Sequence, residues 1–302
     1  MDGRMLCFLM ILFGCSKEQG ELSSINNLNS NTEINIEKSW PQEPNGWTYP
    51  IFIEVPEGDP PANGYPVLVL LHGNGGTGQG ILNEIKSEIA CHILIAISGY
   101  RKSWNISNEE SEAPDLEMIT ELTEQLTDFQ NVNPNKIRIL GFSNGSALAN
   151  RILVENKNPA IDLIIGLVSQ LSEAQYRNNK FYKPSGATGN GLPFNGYDTE
   201  TTPLQNRYYL SICNQNDPVI PYDGGEFYGI NFINAQDAAF AVAVSQGLDN
   251  SEPLAESVAI APYGYEEYSY LDGQVIHIKG NAEHGPPEGI FNYIRNFLAD
   301  CN

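Results

Sequence analysis

Gly141-Phe142-Ser143-Asn144-Gly145 sets a serine between two glycines, a spacing that can turn a hydroxyl into a nucleophile. The apolar, β-rich run Ile137-Arg138-Ile139-Leu140 precedes it, and Ser146-Ala147-Leu148-Ala149 after it reads as a helix. A serine on such a strand-to-helix turn is lifted clear of the sheet. Only glycines fit two residues before and after it, and the helix behind it favours negative charge. Serine still needs a base to take its proton. The chain has four histidines: His72, His92, His277 and His284. His277 alternates within a strand and reads as core. His92 lies at a helix–strand junction, and His72 belongs to a Gly-rich loop. His284 stands in the loop Gly280-Asn281-Ala282-Glu283-His284-Gly285-Pro286 after the last strand, and is the expected base. An imidazole in that role needs a carboxylate to fix its tautomer. Asp217, in Asn214-Gln215-Asn216-Asp217-Pro218, is the expected acid, with Asp223 as the alternative.

Attack on a carbonyl creates an oxyanion that needs preplaced donors. The backbone N–H of Asn144 is one expected donor. That of Asn74, in His72-Gly73-Asn74-Gly75-Gly76, is the other. The same loop spells G-x-G-x-x-G from Gly73 to Gly78, as dinucleotide-binding turns do. Such a turn requires an acidic residue at the tip of the next strand, where this chain has Ser98-Gly99. Gln79 stands where a P-loop needs lysine. Metal-ligand spacing of the H-E-x-x-H kind does not occur. No cofactor and no metal is expected.

These residues must be held by regular elements. Strands are expected over 49–55, 67–71, 93–97, 137–140, 161–168 and 208–213, with a hairpin of 266–270 and 274–279. Helices are expected over 77–90, 114–130, the elbow helix to about 156, 234–247 and 288–299. Residues 170–206 are polar and aperiodic. Buried strands alternating with helices imply an α/β architecture, a mostly parallel doubly wound sheet with helices on both faces. Sites in such sheets lie at the carboxyl ends of strands, where every motif above falls.

The 302 residues suffice for one large domain. Lys and Arg number 16 against 37 Asp and Glu, a formal charge of −21. That balance argues against nucleic acid and anionic lipid surfaces as partners, and its acidic rim is expected to disfavour anionic substrates. Arg4 followed by the apolar run Met5 to Phe13 fits a signal-peptide core and is too short to span a bilayer. Leu12-Phe13-Gly14-Cys15 resembles a bacterial lipoprotein processing box, which implies a lipid on Cys15. The alternative is a truncated signal, or a true start at Met5. The expected division is a signal peptide over 1–14, a flexible tether over 15–44 and a catalytic domain over 45–302. Acyl chains would then be the sole membrane contact of an exported protein. Of the cysteines outside that segment, Cys213 reads as core, and Cys91 with Cys301 is the pairing considered.

The order Ser143, Asp217, His284 is that of α/β-hydrolases. Residues 48–300 resemble the secreted polyhydroxybutyrate depolymerase and feruloyl esterase family of that fold. The marks are Leu71-His72-Gly73, Trp104-Asn105, Ala113-Pro114-Asp115, and Asn133-Pro134-Asn135-Lys136-Ile137 leading into the serine motif. Asn216-Asp217-Pro218-Val219-Ile220-Pro221-Tyr222 and Glu283-His284-Gly285 complete them. The chain departs from the pattern at Ser146, where a third glycine is frequent, and at Gly285-Pro286-Pro287, where an aromatic residue is frequent. The resemblance implies hydrolysis of carboxylic esters through an acyl-serine, without a cofactor. Expected substrates are feruloyl or acetyl esters on polysaccharide, or short hydroxyalkanoate polyesters. Trp104, His72 and the aromatic, Gly-rich segment 181–198 are expected to contact substrate. The rival readings are a serine peptidase of the same fold and a catalytically silent surface-binding lipoprotein.

Overall fold

The computed structural model describes residues 26–107, 109–186, 192–249 and 251–298. The chain enters through a hairpin, β1 (Glu37–Trp40) and β2 (Glu43–Thr48), followed by β3 (Ile51–Glu54) and β4 (Tyr65–Leu71). Then come α1 (Gly78–Ile85), β5 (Ile93–Ile97), α2 (Asp115–Leu126), β6 (Val132–Phe142), α3 (Asn144–Glu155) and β7 (Ile161–Leu167). A small antiparallel leaf follows: β8 (Tyr176–Arg177), β9 (Lys180–Pro184) and β10 (Tyr197–Thr201). Next are β11 (Tyr208–Asn214), a short hairpin of β12 (Gly225–Phe227) and β13 (Ile230–Phe232), and α4 (Ala235–Ser245). β14 (Val258–Ile260), β15 (Tyr265–Tyr270), β16 (Val275–Gly280) and α5 (Ile290–Leu298) close the fold.

Nine strands form one sheet in the order β14-β15-β16-β11-β7-β6-β4-β5-β3. The six from β16 to β5 are parallel, and the strands at both edges are antiparallel. Strand alternation divides the core in two. Val67, Val69 and Leu71 of β4 belong to one cluster, with residues of α2, α3 and α4 such as Leu122, Ile152 and Val242. Leu68 and Leu70 belong to the other, with Leu82 and Ile85 of α1 and Ile294 of α5. A strand buried on both faces is apolar throughout, as Tyr65-Pro-Val-Leu-Val-Leu-Leu71 is. Helix starts are capped locally: Thr77 accepts from Gly80 N, and Asn234 accepts from Gln236 N and Asp237 N. The carbonyls at the end of α3 are capped by buried Arg207, which donates to Ile152 O and Asn156 O.

Three expectations change. Residues 26–44 of the expected tether instead pack on the body, and residues 15–25 lie outside the described residues. Leu28, Ile34, Ile36 and Trp40 are buried. The Asn131 side chain clasps Leu28 through its N and O, each at 2.8 Å. Cys15 and the rest of the signal segment lie outside the described residues. Within 170–206, expected to be aperiodic, the described residues carry the β8–β10 leaf around buried Phe181 and Tyr197. Strand β6 begins earlier than 137, at Val132. Its register on β4 shifts near Tyr65, which lets Pro134 sit inside a strand. Cys91 is disulfide-bonded, while its expected partner Cys301 lies outside the described residues. Cys213 is a free, buried thiol, pushed up to about 12 by burial.

Candidate active site

β6 delivers Ser143 on a sharp turn, with φ 52° and ψ −116°. This is a strained region for a residue with a side chain. The chain crosses itself so closely here that side chains are forbidden on either side. A Cβ on Gly141 would lie 2.2 Å from Gly145 O, and one on Gly145 would lie 2.2 Å from Leu71 O. Ser143 N donates to Leu167 O at 2.9 Å, so the neighbouring strand β7 holds the turn. Ser146, one departure from the family pattern, is buried and donates to Ser169 O at 3.0 Å. Its hydroxyl occupies space left open by Gly166, whose Cβ would come within 2.7 Å of it.

Ser143 Oγ lies 2.8 Å from His284 Nε2, and His284 Nδ1 lies 2.8 Å from Asp217 Oδ2. The other oxygen of Asp217 accepts from Val219 N at 2.7 Å and Ile220 N at 3.0 Å. A carboxylate accepting on both oxygens keeps the proton of His284 on Nδ1 and turns the Nε2 lone pair toward serine. The Asp217 side chain is 1% exposed and that of His284 20%, so the relay runs from the interior to the cleft surface. The loops after β11 and β16 are tied by amides whose role the sequence did not reveal. Asn214 Nδ2 donates to Glu283 O and Gly285 O, on either side of His284, and Asn216 Nδ2 donates to Asn281 O. Asp223 is exposed and meets Asn234 at 3.5 Å, whereas Asp217 is the carboxylate that meets His284. His277 is buried between Tyr222 Oη and Ser211 Oγ, and burial pushes it down to about 3.

The donor loop follows β4. Gly75 N donates to Lys102 O and Gly76 N to Gly73 O. The N–H groups of Asn74 and Asn144 have no partner among the described residues, and both residues line one cleft with Ser143. That is the disposition an oxyanion requires. The dinucleotide-like spacing serves another end. Ser98, at the tip where an acid would be needed, accepts from Gly78 N at 2.9 Å and caps α1.

Trp104 and His72 do not form a substrate surface. Trp104 is fully buried and His72 nearly so. Both are consumed internally: Trp104 Nε1 donates to His72 O at 2.8 Å, and His72 Nε2 accepts from Gly99 N at 2.9 Å. Burial lowers the His72 pKa, which suits that neutral acceptor role. The two side chains position the donor loop. The Asn144 side chain joins them, its Oδ1 accepting from Trp104 N at 2.8 Å. Asp115 completes the brace, accepting from Asn105 N at 2.7 Å and Tyr49 Oη at 2.9 Å. Two separated family marks, Trp104-Asn105 and Ala113-Pro114-Asp115, thus meet in one structural clasp.

The cleft at Ser143 measures about 720 Å³. Val219, Ile220, Phe227, Ile230 and Phe232 give it an apolar wall, and Tyr228 stands 85% exposed at the tip of the β12–β13 hairpin. None of the described residues of 181–198 lines it; their aromatic rings serve the leaf. The expected acidic rim is of mixed charge at this cleft. Arg101 and Lys102 line it alongside Glu109 and Glu110. A hollow of about 770 Å³ between α2 and the end of α3 holds no serine, histidine or cysteine. Its size carries no chemistry. Among the described residues no group of three or more His, Cys, Asp or Glu could hold a metal ion.

Sheet order, helix faces and a serine turn at the end of β6 together define the α/β-hydrolase fold. Comparison with solved structures agrees. A carboxylesterase of Bacillus cereus aligns with 84% of this chain and 95% of its own, at 14% identity and a TM-score of 0.51. Acetyl xylan esterase from Aspergillus awamori aligns with 83% of this chain and 94% of its own, at 14% identity and a TM-score of 0.54. A 2,6-dihydroxy-pseudo-oxynicotine hydrolase aligns with 89% of this chain and 67% of its own, at 10% identity and a TM-score of 0.50. At such identities the likeness is one of fold. No family model and no curated protein sequence matches the chain.

Proposed function

We propose that the protein is a serine hydrolase of carboxylic esters. The observation that carries this reading is the unbroken relay from Ser143 through His284 to Asp217, beside two unengaged backbone donors. Ser143 Oγ attacks the ester carbonyl while its proton passes to His284 Nε2. The N–H groups of Asn144 and Asn74 receive the oxyanion. Collapse of the tetrahedral adduct breaks the bond to the alcohol, which leaves with the proton from His284. Water then attacks the acyl-serine, His284 takes its proton, and the acid is released as Ser143 is reprotonated. Asp217 holds the imidazolium through its bond to Nδ1.

The apolar wall suits an acyl or aryl group. Feruloyl or acetyl esters on polysaccharide and short hydroxyalkanoate polyesters remain the proposed substrates. The likeness to an acetyl xylan esterase supports the first group. We place the protein outside the cytoplasm, anchored by lipid on Cys15. Oxidised Cys91 suits that setting. Arg138 Nη1 donates to Leu298 O and meets His92, beside Cys91, which supports Cys301 as the disulfide partner.

Hydrolysis of p-nitrophenyl butyrate, methyl ferulate, a hydroxybutyrate oligomer and a peptide amide tests the reading, with wild type beside Ser143→Ala. The expected result is ester cleavage that falls by about 10³-fold or more in the variant. Equal rates in the two proteins would refute it. No turnover by wild type would favour the silent binding protein.

A further inference from the structure

In a chain of net charge −21, cations without partners are informative, and two consecutive ones line the cleft at Ser143. Arg101 and Lys102 lie on the turn after β5 and are both exposed. Lys38, Arg151, Lys180, Lys279 and Arg295 each meet a carboxylate. Arg101 and Lys102, like Lys86, Lys157, Arg177 and Lys183, meet none among the described residues, but of these cations they are the two that line the cleft; the Arg101 guanidinium rests over the Tyr100 ring, 5.2 Å from its centroid.

Their backbone is left-handed, with φ 52° at Arg101 and 59° at Lys102, a conformation that any residue bearing a Cβ resists. Two bonds hold it: Lys102 N donates to Gly99 O at 3.1 Å, and Gly75 N donates to Lys102 O at 2.8 Å. The second fastens the pair to the loop that carries Asn74. Tyr100 is fixed from below, its hydroxyl on Glu43 at 2.6 Å and its ring against Trp40 and Trp47. The turn is therefore a built support for two positive side chains beside the donor loop.

The carboxylates on the cleft do not neutralise them. Glu109 Oε2 is taken by Ile106 N and Ser107 N, and burial pushes its carboxyl up toward the neutral form. Glu110 is exposed and forms no ion pair with either cation among the described residues.

We propose that Arg101 and Lys102 bind an anionic group of the ester substrate, a carboxylate carried away from the scissile bond. This deepens the esterase reading and rests on it. Arginine grips a carboxylate through two parallel N–H···O bonds, and the adjacent ammonium adds an attractive field. Two substrate classes offer that chemistry: half-esters of dicarboxylic acids, with the charge on the acyl side, and esters of acidic alcohols such as uronic acids.

Two pairs of esters separate the classes on the full chain. p-Nitrophenyl butyrate against mono-p-nitrophenyl glutarate moves charge onto the acyl side. Phenyl butyrate against 3-carboxyphenyl butyrate moves it onto the alcohol side. In one pair the charged ester is expected to gain about tenfold in kcat/KM over the neutral one. Arg101→Gln with Lys102→Gln is expected to erase that gain, chiefly through KM, while Arg101→Lys retains part of it. Added salt should shrink the gain, because the contact is partly exposed. Calorimetric titration of monoethyl glutarate and of 3-carboxyphenyl butyrate onto Ser143→Ala reads the same contact without turnover. If wild type cleaves no ester at all, the esterase reading falls and the titration still decides the anion site. Preference for the neutral ester in both pairs, or a preference for charge that survives in the glutamine double variant, would overturn the proposal.

Discussion

Asp217 uses its two oxygens for different ends. Oδ1 is fixed by the N–H groups of Val219 and Ile220, which leaves Oδ2 alone to face His284. Asn at 217 would keep its oxygen on the two backbone donors and turn its NH₂ toward Nδ1. The imidazole would then carry its proton on Nε2 and donate to Ser143 rather than accept. Asp217→Asn is therefore expected to fold normally and lose about 10⁴-fold in kcat, as tautomer reversal does in other serine hydrolases. Circular dichroism beside ester kinetics checks both halves. The three residues that the fold brings together, Ser143, His284 and Asp217, were legible in the sequence because each sits in a short motif at a strand end. Trp104 was misread, since an aromatic residue near a site motif looks the same whether its indole faces substrate or a carbonyl. Its partners, His72 O and the Asn144 side chain, lie 32 and 40 positions away in the chain.

At the scale of elements, the parallel strands were legible because full burial makes them continuous apolar runs. The leaf β8–β10 was not. Its strands are two to five residues long and mix polar and apolar residues with no sustained run of either, and only pairing reveals them. The β1–β2 hairpin was hidden in the same way, its core contacts spread thinly through Asn-, Ser- and Glu-rich chain. It nonetheless supports the site: Trp40 and Trp47 pack against Tyr100, Tyr49 packs against Trp47, and Tyr49 donates to Asp115. Burial raises the Asp115 carboxyl to about 7. An unfolded aspartate titrates near ~4, so between ~4 and ~7 the folded protein holds a proton that the unfolded chain has released. The stabilisation is complete below that window and is lost as pH rises through it. Thermal melts across the window should show wild type losing stability with rising pH more steeply than Asp115→Asn. The difference in slope is at most about 1.4 kcal/mol per pH unit. Parallel slopes would remove Asp115 as the titrating group.

At the scale of the molecule, the sequence carries a net charge of −21, while the relay sits at the carboxyl ends of β6, β11 and β16 and the cleft sets Arg101 and Lys102 with Glu109 and Glu110 beside an apolar wall. Self-repulsion of that size opposes compaction and is screened by ions. Raising NaCl from about 0.02 to about 0.5 M is accordingly expected to raise the melting temperature, and a flat or falling response would count against it. The central claim is that this fold presents one activated serine. The most direct test is covalent trapping with an alkyl fluorophosphonate, read by intact mass and peptide mapping. The account predicts a single adduct on Ser143 that forms together with loss of ester hydrolysis and is absent in Ser143→Ala. An unmodified Ser143, with hydrolysis persisting after exhaustive treatment, would contradict it.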